Sequence, residues 1–238
     1  MPPEPTILAF DTSAAHCAAA LLSGGRIVAS RHEEMKRGQA ERLVPLLQEV
    51  LAQEGAVWEE IDAIGVGIGP GNFTGIRISV STARGLALSL GVPALGVTSF
   101  EVARGPASIP GPQHQIVTLR GPRSTFYLQR FENGVPAGEP ETLDATSPHW
   151  LELEISAPEG TELLGPFAEH LMLALGRGAP SMYPWNDGDI DWRRSADIIA
   201  HIAAERFASG EPFDRPAPLY IRAPDAAPSR NAAPVLLR

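Results

Sequence analysis

Apolar residues arrive in three short bursts at the start of the chain, at 7–10, 16–22 and 26–33, separated by polar or glycine-containing turns. Runs of that length between turn residues predict β-strands. "SGG" at 23–25 supplies the positive φ that a hairpin turn needs, so a three-stranded meander is expected. Asp11-Thr12-Ser13 ends the first strand as a turn-forming cluster. The period then changes. Leu43, Leu46, Leu47, Val50 and Leu51 recur at i, i+3, i+4, i+7 and i+8, one face of an amphipathic helix over 39–54, with Gly55 as its stop. Pro45 conflicts with a regular helix because proline removes a backbone donor; it belongs either in the first turn or at a kink. A buried strand at 61–68, a helix at 74–90, a strand at 92–97 and the start of a helix at 99–105 complete a β-β-β-α-β-α-β-α order.

Residues 106–112 are rich in proline and glycine and mark a boundary. Strands are expected at 115–120 and 125–132, a loop-rich stretch at 134–160 with a short helix at 147–153, a strand at 161–165 and a helix at 166–175. "SADIIAHIAAERFASG" at 195–210 reads as a helix with Ser195 as N-cap and Gly210 as stop. The expected division is a first lobe at 1–105, a smaller lobe at 106–222 and a proline- and alanine-rich tail at 223–238.

The helix at 74–90 is unusual. At steps of about 100° per residue, Ile76, Ser79, Val80, Ala83, Leu86, Ala87 and Leu90 share one side. Ile78, Ser81, Thr82, Gly85, Leu88 and Ser89 share the other, with Arg77 and Arg84, its two charges, on the stripe between. A surface helix normally carries a polar face. This one has no charged face, which predicts cover on two sides: its own sheet on one, another helix on the other. Ser81, Gly85 and Ser89, spaced i, i+4 and i+8, permit close approach. With the helix 39–54 alongside, a four-helix contact between subunits is expected. Its candidate residues are Leu43, Leu46, Leu47, Ile78, Ser81, Thr82, Gly85 and Ser89. Arg206, on the C-terminal helix, is expected to lie away from that surface.

Charge and composition narrow the function. A net charge of −9 over 238 residues argues against a broad, self-sufficient nucleic-acid surface, which would be basic. Contact with RNA would then come through a partner. One cysteine, Cys17, permits no intrachain disulfide. No basic stretch followed by a long apolar run opens the chain, and no run approaches a membrane span, so a cytoplasmic protein is expected.

"GIGPGNFTGIRISVSTARGLALSLG" at 67–91 poses the chemical question, since glycine-rich turns before helices often cradle phosphate. Counted from Gly69, the P-loop spacing meets Thr74-Gly75-Ile76, with no lysine. Gly67 and Gly69 fit a dinucleotide fingerprint, but Asn72 stands in its third glycine place. The alternative is a tight strand-to-helix turn in which Gly71 relaxes the backbone and Asn72 or Thr74 caps the helix. If a cleft forms here, Asp11, Thr12, Gly69, Gly71 and Thr74 should line it. Without a lysine or metal to offset phosphate charge, nucleotide binding should be weak, and no cofactor is expected.

"ILAFDTS", "GPGNFTGIR", "GLAL" with "VPALGVTS", and "PLYIR" occur in this order. The combination resembles the TsaB (YeaZ) family of tRNA threonylcarbamoyladenosine biosynthesis, strongly over residues 6–105, thinly over 106–210, and again at Pro218, Tyr220 and Arg222. The resemblance implies an α/β fold of the actin, sugar-kinase and heat-shock ATPase (ASKHA) type, two-lobed with a reduced second lobe. It also implies a non-catalytic partner of TsaD, which transfers the threonylcarbamoyl group to the adenosine beside the anticodon. The ATPase TsaE would be the third member, and a homodimer would form when the chain is alone. TsaD binds a metal through two histidines spaced four apart; at the matching places stand Ser99 and Ala103, so no metal and no catalytic residue are expected. The alternative is an enzyme in its own right, nucleotide-dependent or glycoprotease-like, as the family was once labelled. The family often shows an Asp-Ala-Arg-like stretch before its second-lobe strand; here "LRGPRSTFY" puts Arg120 and Pro122 there.

Overall fold

The computed structural model describes residues 4–221 except 107, 109, 110, 123, 145–156, 176–184 and 187–190. The helix expected at 147–153, Arg222 and the tail at 223–238 lie outside the described residues. The first sheet has the order β3-β2-β1-β4-β5. Its strands are β1 (Ile7–Asp11), β2 (His16–Ser23), β3 (Arg26–Glu34), β4 (Ala63–Gly67) and β5 (Ala94–Val97). The meander β1-β2-β3 is antiparallel, and β4 and β5 add in parallel. Both faces of the central strand β1 are buried. Leu8 and Phe10 point to one core, Ile7 and Ala9 to the other, as strand alternation requires.

Helices α1 (Gln39–Gln53) and α2 (Phe73–Leu90) cover the first of those faces. Pro45 sits inside α1, past its first turn. Leu43, Leu46 and Leu47, expected at a subunit contact, are fully buried in the chain's own core. An apolar helical face shows that burial occurs but not against what, and here the sheet takes it.

Helix α3 (Ser99–Arg104) follows β5, and a second sheet follows that. Its order is β10-β9-β6-β7-β8, with β6 (His114–Arg120), β7 (Thr125–Glu132), β8 (Val135–Asp144), β9 (Glu162–Leu164) and β10 (Trp185–Asn186). Helix α4 (Ala168–Leu175) packs on it through Ala168 and Leu171. Residues 135–144, expected as loop, form β8. This is an edge strand, where proline costs no ladder bond, so Pro136 and Pro140 are tolerated. The register shifts opposite Leu128–Arg130, and Gly138 takes a left-handed φ of 72°.

The division at 106–222 needs correction. Helix α5 (Ser195–Ser209) returns to the first sheet and buries Ile199, Ala200, Ile202 and Ala203 on the face opposite α1 and α2. Gly65 in β4 allows the close fit, since a Cβ there would lie 3.0 Å from both Ala203 Cβ and Ile199 Cγ2. Beyond α5, Leu219 N–H donates to the Ile68 carbonyl (2.9 Å), while Leu219 and Ile221 also pack on the cluster of Phe100, Val117, Leu119 and Phe131. Helix α5 begins at Ser195 with no side-chain cap and ends at Gly210, whose φ is 67°. Arg206 is not an idle surface residue: it donates to the Gly96 carbonyl and pairs with Glu101, tying α5 to β5 and α3.

Candidate functional site

The Asp11-Thr12-Ser13 turn and the Gly69–Asn72 loop interlock at the end of β1 and the start of α2. Thr12 Oγ1 donates to the Gly75 carbonyl (2.7 Å). Asn72 N–H donates to the Ser13 carbonyl (2.6 Å). Asn72 Oδ1 accepts from Gly75 N–H (2.8 Å), capping α2. The glycines are what let the two loops meet: a Cβ on Gly75 would strike the Thr12 carbonyl, one on Gly71 the Ser13 carbonyl, and one on Gly67 the Asp11 carboxylate. The glycine pattern thus serves packing between loops, and two of the backbone donors that a phosphate would use are spent within the chain.

Asp11 is buried beneath this junction. Its Oδ1 accepts from Ser13 N–H (2.8 Å), and its Oδ2 lies 3.0 Å from His16 Nε2. Burial alone would raise the carboxyl's pKa; the hydrogen bond and charge of His16, with Ser13, outweigh it and hold the group below its usual range. Ser195 Oγ stands 3.5 Å from the same His16 Nε2. A Ser-His-Asp relay needs serine and carboxylate on opposite ring nitrogens. Here both face one nitrogen and all three side chains are buried, so the trio is a structural knot between β1, β2 and α5. Cys17 is also buried, and its thiol is pushed up to about 12, which keeps it a neutral apolar residue.

Between the lobes lies a cavity of about 250 Å³, walled by Ser13, Ala14, Gly71 and Asn72 on one side and by Leu119, Arg120 and Pro166 on the other. Trp192, from a short turn of 3₁₀ helix ahead of α5, also lines it. Of the residues expected to line a cleft, only Gly71 does. Asp11 and Thr12 lie buried behind it with their polar atoms engaged, Gly69 is buried, and Thr74 is exposed in the first turn of α2. Arg120 brings a cation to this wall and no lysine among the described residues lines it, while the buried Asp11 carboxylate is engaged by His16 and Ser13. Ser99 is buried and donates its N–H to the Gly69 carbonyl (2.7 Å), while Ala103 packs beside Phe100 and Phe131. Among the described residues no group of three His, Cys, Asp or Glu is placed to hold a metal.

Of the expected interface residues on α2, Ser81, Gly85 and Ser89 are exposed, while Ile78 and Thr82 are half-buried. The opposite arc, Gly75, Ile76, Ser79, Val80 and Ala83, is buried. A Cβ on Gly85 would meet nothing within 4 Å. Sequence reasoning missed His16, Trp192 and Ser195. Asp11 and His16 are brought together by the β1–β2 turn, and Trp192 and Ser195 come from more than 170 positions away, so no local spacing carried a signal.

Two α/β lobes, the first with a meander-led sheet and helices on both faces, define the ASKHA class. A ROK hexokinase from Thermus thermophilus shares this fold at a TM-score of 0.50, with 14% identity over 82% of this chain and 97% of that one. The family model for TsaD, tRNA N6-adenosine threonylcarbamoyltransferase, matches residues 26–148, just over half of the chain. The tRNA threonylcarbamoyladenosine biosynthesis protein TsaB of Escherichia coli is 29% identical, covering 91% of this chain and 94% of that protein. A Pseudomonas aeruginosa protein with similarity to peptidase YEAZ superposes at a TM-score of 0.70, with 25% identity over 92% of this chain and all of that one. The chain belongs to the family that the TsaD model describes and, within it, to the TsaB (YeaZ) group.

Proposed function

We propose that this chain serves tRNA threonylcarbamoyladenosine biosynthesis as a non-catalytic partner of TsaD, pairing through the outward arc of α2. Gly85 carries the proposal. A glycine inside an exposed helix costs about 1 kcal/mol relative to alanine, and nothing among the described residues needs one here, because the space around it is open. Another backbone approaching from outside accounts for it, with Ser81 and Ser89 one turn away on either side. The engaged Asp11 and the glycines taken up in loop packing support the absence of independent catalysis and of tight nucleotide binding in the cleft. TsaE as a third component, a homodimer in the absence of TsaD, contact with tRNA through the assembled complex and a cytoplasmic setting complete the proposal. Among the described residues no helix is long and apolar enough to cross a membrane.

The test is reconstitution with the TsaD of the same organism. Gly85→Glu should keep the fold of the isolated chain, weaken pairing at least about 100-fold because a buried unpaired charge is strongly disfavoured, and stop modification of tRNA. Wild-type pairing by a folded Gly85→Glu protein would place the contact elsewhere. Modification of tRNA by this chain alone would refute the non-catalytic role.

A further inference from the structure

The segment after α5 runs antiparallel to α2. At one end, Phe213, Arg215 and Pro216 face Arg84 and Leu88 across a groove of about 610 Å³. At the other, Tyr220 reaches the first turn of α2. Its ring centroid lies 5.4 Å from that of Phe73. The Arg77 guanidinium carbon sits 3.7 Å over the Phe73 ring, and Arg77 Nε donates to the Tyr220 hydroxyl (2.8 Å). Leu219 and the buried Pro216 anchor the segment between these ends.

Three observations separate this strip from ordinary surface. Its large apolar groups face outward: Leu88 is 87% exposed, Phe73 54% and Tyr220 46%. Its charge on α2 is of one sign, since Phe73–Leu90 contains two arginines and no acidic residue in a chain of net charge −9, while Arg215 and Asp214 offset each other in the segment, so the ridge's excess charge is that of α2. And neither Arg84 nor Arg215 has a hydrogen bond or ion pair among the described residues. On the helical projection Phe73, Arg77, Arg84 and Leu88 form one ridge, beside the stripe of Ser81, Gly85 and Ser89. Arginine and large aromatics concentrate binding energy at interfaces, and a guanidinium already held over the Phe73 ring and hydrogen-bonded to the Tyr220 hydroxyl has little freedom left to lose.

We infer that the segment Phe213–Tyr220 and α2 together form a cationic, aromatic docking ridge for an acidic surface of the partner protein, set with apolar side chains. The inference rests on the pairing proposed above and names the chemistry of the face that pairs. Charge selects the occupant. Carboxylates on a partner meet unpaired arginines, whereas a second copy of this chain brought α2 to α2 adds its own arginines to the same contact. The ridge therefore favours the unlike pair over the like one.

The experiment compares the wild type with the double variant Arg84→Glu/Arg215→Glu, both checked for an unchanged melting temperature, in binding to TsaD at about 50 mM and about 500 mM salt. The expected result is about 10- to 100-fold weaker pairing by the variant at low salt, pairing by the wild type that weakens as salt rises, and self-association by the wild type that does not weaken with salt. Failure of the wild type to bind TsaD would refute the pairing itself. Wild-type pairing together with equal pairing by the folded variant would overturn the ridge alone. So would a variant that pairs normally but holds tRNA less tightly in the complex, which would make the strip an RNA surface.

Discussion

Helices α1 and α2 cover the same face of the first sheet, and their outward sides differ. On α1, Arg42 is held by Glu33 through Nε (2.7 Å) and by Glu49 through Nη1 (2.6 Å); this ion-pair network shares the outward side with Glu41, Gln48, Gln53 and an exposed Val44. On α2 the outward arc has two arginines, small residues and an exposed leucine. Their buried sides differ too: α1 buries Leu43, Leu46, Leu47, Val50 and Leu51, whereas α2 buries Ile76, Val80 and the small Gly75, Ser79 and Ala83, so α1 contributes more to the core. The outward difference lies in what each leaves for the solvent. An ion-paired arginine is satisfied in water, whereas a face of small and apolar residues whose arginines meet no carboxylate among the described residues is complete only when something lies on it. The lesson is that the residues a helix buries report on the fold, and its polar deficit on the other side reports on partners.

The largest expected effect tests that division. Leu47→Asp puts a carboxylate into the core between α1 and the sheet and should cost about 4 kcal/mol or more, enough to lower the melting temperature by more than about 10 °C. A charge at Gly85 should leave that temperature unchanged. Near-equal melting temperatures for Leu47→Asp and the wild type would mean that α1 does not hold the lobe together.

A second contrast sets two glycines of α2 against each other. At Gly75 an added methyl runs into the Thr12 carbonyl, whereas at Gly85 it meets nothing. Gly75→Ala should therefore destabilise by about 2–3 kcal/mol, seen as a lower urea midpoint. If it is neutral, the loop junction yields more than its geometry suggests, and the packing account of the glycine motif fails.

Asp11 beneath that junction gives a pH signature. Its carboxyl is held below the ordinary range in the folded state, by His16 and Ser13 against the cost of burial. The stability it contributes is fully present above the unfolded pKa of about 3.9 and is lost as pH falls through the lower folded value. Asp11→Asn should cost about 1–3 kcal/mol at neutral pH, and its deficit against the wild type should shrink below about pH 4. A deficit that stays constant down to about pH 3 would show that the carboxylate's charge is not what stabilises the turn.

Much of this was legible in the residues, for stateable reasons. The meander, α1 and α2 follow from local period, and Ser81, Gly85 and Ser89, read as one side of α2, lie on its exposed arc. The fate of Leu43, Leu46 and Leu47 was not legible, because periodicity defines a face and not the surface it meets. Strand β8 was hidden by Pro136, Gly138 and Pro140, which read as loop unless the strand is known to be an edge. The return of α5 to the first sheet depends on Gly65, more than a hundred positions away, and no window of sequence holds both. In the glycine motif the residue types were read correctly as a turn. Their burial against Asp11-Thr12-Ser13 needed the fold.

The smallest effect is the most discriminating between the two helices. Gly85→Ala adds one methyl to an exposed helical position with open space around it. Alanine is the better helix former by about 0.5–1 kcal/mol, so the isolated chain should gain that much, visible as a rise in melting temperature of a few degrees at most. The same methyl stands where a second backbone is proposed to approach, and pairing with TsaD should weaken by about 3- to 10-fold, within the range of a small overpacking penalty. Gain in one measurement and loss in the other is the signature of a residue kept small for a partner. An alanine that stabilises the chain and pairs as well as glycine would leave that position with no reason to be glycine, and the outward face of α2 would lose its strongest claim to be an interface.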